Sequence, residues 1–100
     1  MTIKRTTENG KTTLALEGWL DTLSSPELGK AVDAIEAAEA IVLDLEKVEY
    51  MASAGLRQVI AAHKKAKLIN AAFSVVNVVP GVMNIFRMTG IDKKIDIRPL

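Results

Sequence analysis

The sequence has 100 residues, of which 49% are hydrophobic, which is enough for one compact core but not for two. It contains no cysteine and one histidine, which excludes disulfide frameworks, thiolate chemistry and ordinary zinc sites. Thirteen basic residues stand against twelve acidic ones, so the overall charge offers no general attraction to nucleic acid or anionic membranes. The first twenty residues lack a long apolar run. We therefore expect no secretory signal and no membrane span, and a cytoplasmic protein.

Two short strands, at residues 2–7 and 12–17, are predicted to open the fold as an antiparallel hairpin. The Asn9-Gly10 pair between them favours the positive φ angles of a tight turn. At residues 18–21 the alternation of apolar and polar residues breaks. This break predicts that the chain leaves the strand here and enters a polar connection.

The next segment has the features of an amphipathic helix. Ser24 or Ser25 is suited to cap it, because Pro26 fits a first turn and Glu27 stands in capping-box register with Ser24. Apolar residues then recur at helical spacing. The predicted stripe consists of Leu28, Ala31, Val32 and Ile35.

The remainder of the chain alternates between strands and helices. Residues 40–45 are predicted to be a central strand covered on both faces. A second helix from Ser53 to about Lys67, a strand at 71–77, a third helix from Pro80 to Gly90 and a short edge strand at 95–97 follow. This order predicts one α/β domain over residues 1–100, with a mixed sheet, an N-terminal antiparallel hairpin and three to four helices. Periodicity leaves the strand order open.

Ser53 is the main candidate site residue. Sites in open α/β sheets concentrate where loops leave the carboxyl ends of central strands, and residues 46–53 occupy such a place. A serine at this point is also a good N-cap, which would explain it structurally. A phosphate on Ser53 would meet free backbone N–H groups and the positive end of the helix dipole. Arg57, four residues later, can pair with that phosphate, although an exposed arginine is the commoner explanation.

Enzyme motifs are absent from the chain. His63 lies ten residues after Ser53 on the same helix, roughly 15 Å away, so a nucleophilic serine has no base. The glycines form no dinucleotide-binding or phosphate-binding loop. The basic residues of the second helix leave nucleic-acid binding as an alternative, which the four aromatic residues of the chain disfavour. These basic residues are Arg57, Lys64, Lys65 and Lys67.

The stretch from Ile41 to Lys67 resembles the STAS family, the sulfate-transporter and anti-sigma-factor-antagonist domains, and in particular its free-standing bacterial anti-sigma factor antagonists. Members of this family carry a D-S-[ST]-G-L motif at the start of a helix. The corresponding residues here are Ala52, Ser53, Ala54, Gly55 and Leu56. Upstream, Gly18 and Asp21 match the family's G-x-[LI]-D loop, and downstream the family's hydrophobic-x-x-[ST]-G-[LI] motif ends here at Met88 to Ile91.

This resemblance implies a partner-switching regulator rather than an enzyme. We expect no cofactor and no metal site, although binding of magnesium or calcium by carboxylates alone stays open. Unmodified, the protein would bind an anti-sigma factor that is also a serine kinase, and phosphorylation of Ser53 would end the complex. A separate serine phosphatase would restore it. Ala52 and Ala54 stand where the family usually has an acidic residue and a hydroxyl.

The partner-binding face is predicted to comprise the loop around Asp21, the loop from Tyr50 to Gly55 and the exposed side of the second helix. The residues assigned to it are Asp21, Tyr50, Met51, Ala52, Ser53, Ala54, Gly55, Leu56 and Arg57. One alternative is a constitutive scaffold or small-ligand sensor of the same fold, in which Ser53 is only a cap. Another is a hydrolase that uses Ser53, which the missing base disfavours.

Overall fold

The computed structural model describes residues 1–100. Its main elements are β1 (Thr2–Glu8), β2 (Lys11–Leu20), α1 (Ser25–Asp33), β3 (Ala40–Met51), α2 (Ser53–Leu68), β4 (Ala72–Val78), α3 (Pro80–Thr89) and β5 (Asp96–Pro99). One turn of 3-10 helix, Ile91–Lys93, precedes β5. The five strands form one sheet in the order β1-β2-β3-β4-β5, with β1 antiparallel to β2 and the other pairs parallel. The predicted α/β domain with a mixed sheet and three to four helices is confirmed.

The hairpin turn also has the predicted conformation. Asn9 and Gly10 adopt φ angles of 52° and 79°. Glu8 pairs with Lys11 across the turn, so only two residues connect the strands. Two successive positive φ angles match the twist of the strands that the turn joins.

All three helices pack on one face of the sheet. Strands β2 to β5 are sequential parallel neighbours, and crossovers of one hand return every helix to the same side. Leu14, Leu43 and Val75 pair across this face and are fully buried in a single hydrophobic cluster. On the opposite face Val42 and Asp44 are only half-buried. The prediction that residues 40–45 are covered on both faces is therefore wrong.

Strands β2 and β3 are longer than predicted. β2 continues to Leu20 and β3 to Met51, where these two residues pair with each other. The alternation of apolar and polar residues fails because the register shifts twice along β2, and Gly18 takes φ 117° beside the second shift. A bulge of this kind bends a strand without ending it. The predictions of a loop at residues 46–53 and of a connection that starts at Gly18 are wrong for this reason.

The first helix begins where predicted but without the predicted capping box. Ser24 occupies the N-cap position of α1, yet its side chain makes no capping hydrogen bond. Its hydroxyl bonds to the loop before the helix instead. Helix α1 ends at Asp33, so Ile35 lies outside the helix. It is nevertheless buried in the core, as part of the segment that follows the helix.

The later elements agree with the predictions to within about two residues. Helix α2 ends at Leu68, and β4 is shifted by one residue from the predicted range. Helix α3 starts at Pro80 and stops at Gly90, which has φ 74°. The last strand begins at Asp96 and continues to Pro99.

Gly55 lets the first turn of α2 lie directly against the end of β2. A Cβ atom at this position would be 2.6 Å from the carbonyl oxygen of Leu20 and 2.7 Å from its Cγ. It would also be 3.0 Å from Cγ of Met51. A backbone carbonyl cannot move aside in the way that the end of a flexible side chain can. The close approach of the two elements therefore requires glycine at residue 55.

We expect Gly55→Ala to destabilise the protein by about 1–3 kcal/mol, because the overlap with Leu20 outweighs the higher helix propensity of alanine. Gly81→Ala is the matched control, since Gly81 is also helical and a Cβ there meets nothing within 4 Å. We expect the control to leave stability unchanged or to raise it. Urea unfolding of both variants measures the difference. Equal stability of the two variants would contradict the proposed close approach.

Candidate functional site

The candidate site lies at the carboxyl end of the sheet, where β2 and β3 finish side by side. The backbone N–H of Ala52 donates to the carbonyl of Leu20 over 2.9 Å, which joins the start of α2 to the end of β2. Ala52 is extended, with φ −91° and ψ 172°, and occupies the N-cap position of α2. Ser53 is the first residue of the helix. The backbone thus presents Ser53 at the edge of the domain.

Ser53 does not cap the helix, which corrects the structural explanation offered by its sequence position. The cap position belongs to Ala52, one residue earlier, and no side chain bonds to the helix start.

The Ser53 side chain is exposed. Among the other serines, Ser24 and Ser25 are buried and Ser74 is half-buried. Ser53 is therefore the one serine whose hydroxyl is open to a protein partner or an enzyme.

The start of α2 is electrostatically uncompensated. Its first turn contains no acidic residue and has no side-chain cap. The first helical N–H groups have no intrahelical acceptor, because the residues four positions earlier belong to β3. Arg57 is exposed, and the only ion pair in the structure joins Arg98 to Asp96. The positive end of the helix dipole and a free guanidinium thus both lie near Ser53, where they favour an anion.

Asp21 organises the loop between β2 and α1. Its Oδ1 accepts hydrogen bonds from the backbone N–H groups of Leu23, at 3.1 Å, and Ser24, at 3.0 Å. The Ser24 hydroxyl donates to the carbonyl of Trp19 and accepts from the N–H of Asp21. The Ser25 hydroxyl donates to the carbonyl of Asp21. These bonds hold the loop in one conformation beside the start of α2.

The charge of Asp21 is stabilised by the same contacts. The backbone N–H of Ser24, together with the N–H of Leu23, holds the pKa of the Asp21 carboxyl below its ordinary value. The structure therefore shows Asp21 as a loop-organising residue. Its assignment to the partner-binding face stays a prediction.

An exposed apolar group accompanies this loop and was not recognised from the sequence. Trp19 and Tyr50 pair across β2 and β3, and their ring centroids are 5.6 Å apart at a tilt of 56°. Trp19 is 64% exposed and Tyr50 50% exposed, while Leu23 in the adjoining loop is 89% exposed. Only Tyr50 was predicted to bind a partner. Trp19 and Leu23 were missed because the sequence pattern does not reveal the face on which residues after a bulge lie.

The remaining residues of the predicted face differ in accessibility. Met51 and Gly55 are buried and support the loop from inside. Ala52, Ala54 and Leu56 are half-buried. All of the assigned residues lie together near the end of β2 and β3, but contact between any of them and a partner stays a prediction.

No base or metal site accompanies Ser53. His63 is half-buried farther along α2 and packs against Phe73, with ring centroids 5.6 Å apart. Burial, followed by the charge of Lys67, lowers the pKa of His63. No group of three histidine or carboxylate side chains is placed to hold a metal ion. No helix is both long enough and apolar enough to cross a membrane.

We expect Asp21→Asn to change how stability depends on pH. The folded-state pKa of Asp21 is lowered, so its charge contributes stability above the unfolded-state value of about 3.9, and this contribution is lost as the pH falls through the folded-state value. Asparagine accepts the same N–H bonds without a charge. The stability difference between the two proteins should be largest at neutral pH and shrink below about pH 4. Urea midpoints measured across this range test it, and a difference independent of pH would refute it.

Comparison with known proteins agrees with this geometry. The sequence matches the family model for the STAS domain over residues 2–99. An anti-sigma factor antagonist from Mycobacterium paratuberculosis is 28% identical, with a TM-score of 0.89 over 99% of this chain and 86% of that one. No curated protein sequence matches the chain.

Two further solved structures share the fold at lower identity. The anti-sigma factor antagonist SpoIIAA in its unphosphorylated form is 19% identical, with a TM-score of 0.79 over 96% of this chain and 87% of that one. The Bacillus cell fate determinant SpoIIAA in the phosphorylated form is 15% identical, with a TM-score of 0.75 over 96% and 90%. With the fold, the motif positions and the family match in agreement over nearly its whole length, the chain belongs to the STAS domain family.

Proposed function

We propose that this protein is a regulatory antagonist of an anti-sigma factor and that phosphorylation of Ser53 controls its binding. The observation that carries this proposal is the placement of Ser53. It is the one exposed serine, and it stands at an uncapped helix start next to exposed apolar side chains. The likeness to the antagonist from Mycobacterium paratuberculosis supports the same role.

The charge of a phosphate supplies the control. A phosphoserine carries a charge of about −2 at neutral pH, and the free N–H groups at the start of α2 can donate hydrogen bonds to its oxygens without loss of the fold. SpoIIAA, which shares this fold, keeps it in its phosphorylated form. A partner that covers Ser53 would have to strip water from the new charge, or would be repelled by it if its own surface is acidic. Binding would therefore be lost while the domain stays folded.

The exposed apolar group supplies affinity in the unmodified state. Aromatic residues are enriched among the side chains that dominate binding energy in protein interfaces. Trp19 and Tyr50 already support each other across the sheet, so a partner need not order them. Leu23, on a loop held by Asp21, adds a third contact of the same kind. Phosphorylation of Ser53 would act beside these contacts rather than remove them.

The proposed partners follow from this role. The anti-sigma factor would also be the serine kinase that modifies Ser53, and a separate serine phosphatase would restore binding, all in the cytoplasm. The protein itself would perform no catalysis, since its only histidine, His63, packs against Phe73 ten residues after Ser53 and leaves that serine without a base.

A constitutive scaffold or ligand sensor is the second candidate. The observation that favours it is the pair of alanines that flank Ser53, Ala52 and Ala54. The family usually has an acidic residue and a hydroxyl at these positions, which a kinase could recognise. Under this alternative Ser53 stays unmodified, and charge at this position leaves binding unchanged.

We expect intact mass and peptide mapping of the protein from its native cells, purified with phosphatases inhibited, to show one added phosphate on Ser53. The buried Ser24 and Ser25 serve as internal controls and should stay unmodified. Absence of phosphate under conditions that change the activity of the protein would favour the scaffold.

We expect Ser53→Asp and Trp19→Ala both to weaken capture of the anti-sigma factor, for different reasons. The first places a charge in the interface. The second removes an apolar anchor, with an expected loss of about 2 kcal/mol, or roughly thirtyfold in Kd. Titration of the purified partner against each variant gives the Kd values.

Two controls make this comparison specific. Asn84→Asp adds the same charge on the exposed surface of α3 and should bind normally. Ser53→Ala should bind normally, resist phosphorylation and keep its stability within about 0.5 kcal/mol, because the hydroxyl makes no hydrogen bond. Unchanged Kd values for Ser53→Asp would overturn the charge mechanism.

A further inference from the structure

A groove lies between the second half of α2 and the segment that follows α3, away from Ser53. Its volume is about 490 Å³. This is within the range of roughly 300–1,000 Å³ that small-ligand sites occupy. Ile60 from α2, together with Ile91 and Ile95, forms its apolar part. Ile95 is buried, whereas the other two keep part of their surface open to the groove.

Every ionisable residue that lines this groove is basic. Three of them, His63, Lys64 and Lys67, come from α2, and Lys94 faces them from the segment before β5. Helix α2 contains no acidic residue, and no ion pair neutralises any of these side chains. Because Lys64 and Lys67 are three residues apart on one helix face, they repel each other. An anion between them would relieve this repulsion.

We propose that this groove binds a small organic anion that carries an aliphatic chain. Its phosphate or carboxylate head pairs with Lys64, Lys67 and Lys94, and its chain lies on the three isoleucines. The site is independent of the Ser53 switch, since Lys64 is eleven residues after Ser53, roughly 16 Å along the helix. This separation lets a bound ligand and a partner at the start of α2 be present together.

The lining selects against other ligands. A metal ion finds no carboxylate among the residues that line the groove. Single-stranded nucleic acid is bound through stacking on aromatic rings, and the apolar part of this groove is entirely aliphatic. An alkyl chain matches this aliphatic lining in chemistry.

His63 reports on the site because it is the only histidine in the chain. It faces Phe73 of β4, and the positive charges of Lys64, Lys67 and Lys94 line the same groove. Burial and Lys67 hold its pKa below the ordinary value. An anion in the groove stabilises the protonated imidazole, so the pKa of His63 should rise when ligand binds.

The test is an NMR titration of His63 with octyl phosphate below its micelle concentration. We expect saturable binding and a rise in the pKa of His63. Inorganic phosphate supplies the head alone and 1-octanol the chain alone, and each should bind at least about tenfold more weakly. Equal binding of inorganic phosphate would overturn the proposed role of the isoleucines.

A pair of variants completes the test. Lys64→Glu with Lys67→Glu should abolish binding of octyl phosphate, whereas Lys30→Glu, an exposed position on α1 outside the groove, should leave it intact. Circular dichroism checks that each variant is folded. No shift of His63 in the wild type would overturn the proposal. A response only to an acidic, leucine-containing peptide would overturn it in favour of a protein segment as the occupant.

Discussion

The close approach between the first turn of α2 and the end of β2 is the constraint on which the candidate site depends. The Ala52–Leu20 hydrogen bond and the absence of a side chain at Gly55 bring the two elements into backbone contact. A Cβ at residue 55 would force them apart. Because Ser53 lies between these two points, its position relative to the loop after β2 follows from this packing. The site is thus built on secondary structure, and the neighbouring Asp21 loop is braced by its own internal hydrogen bonds.

Charge and apolar surface are separated around this contact. The apolar group of Trp19, Leu23 and Tyr50 lies at the carboxyl end of β2 and β3, and α2 carries positive charge along its length without an acidic residue. A phosphate on Ser53 would stand between the two. In the proposed switch, this phosphate would oppose binding through both, since it would introduce a hydrated group beside the apolar side chains and reduce the positive potential of the helix. The groove near the other end of α2 retains its own cations.

Local patterns predicted most of the elements because their causes are local. The Asn9-Gly10 turn and the helix from Pro80 to Gly90 depend on backbone preferences of the residues that form them. The extents of β2 and β3 could not be predicted in this way. At the bulge near Gly18 the spacing of buried residues changes, so a pattern that continues in the sheet looks as if it ends. The same bulge concealed Trp19 as an exposed partner of Tyr50.

The sequence by itself determined the order and type of the elements, the position of Ser53 at the start of a helix, and the family, because periodicity, turn residues and motif spacing are properties of neighbouring residues. Only the tertiary structure decided that Ala52 and not Ser53 occupies the cap, and that Trp19 and Leu23 are exposed beside the site. Each of these depends on how strands pair and helices pack across distances that no local pattern encodes.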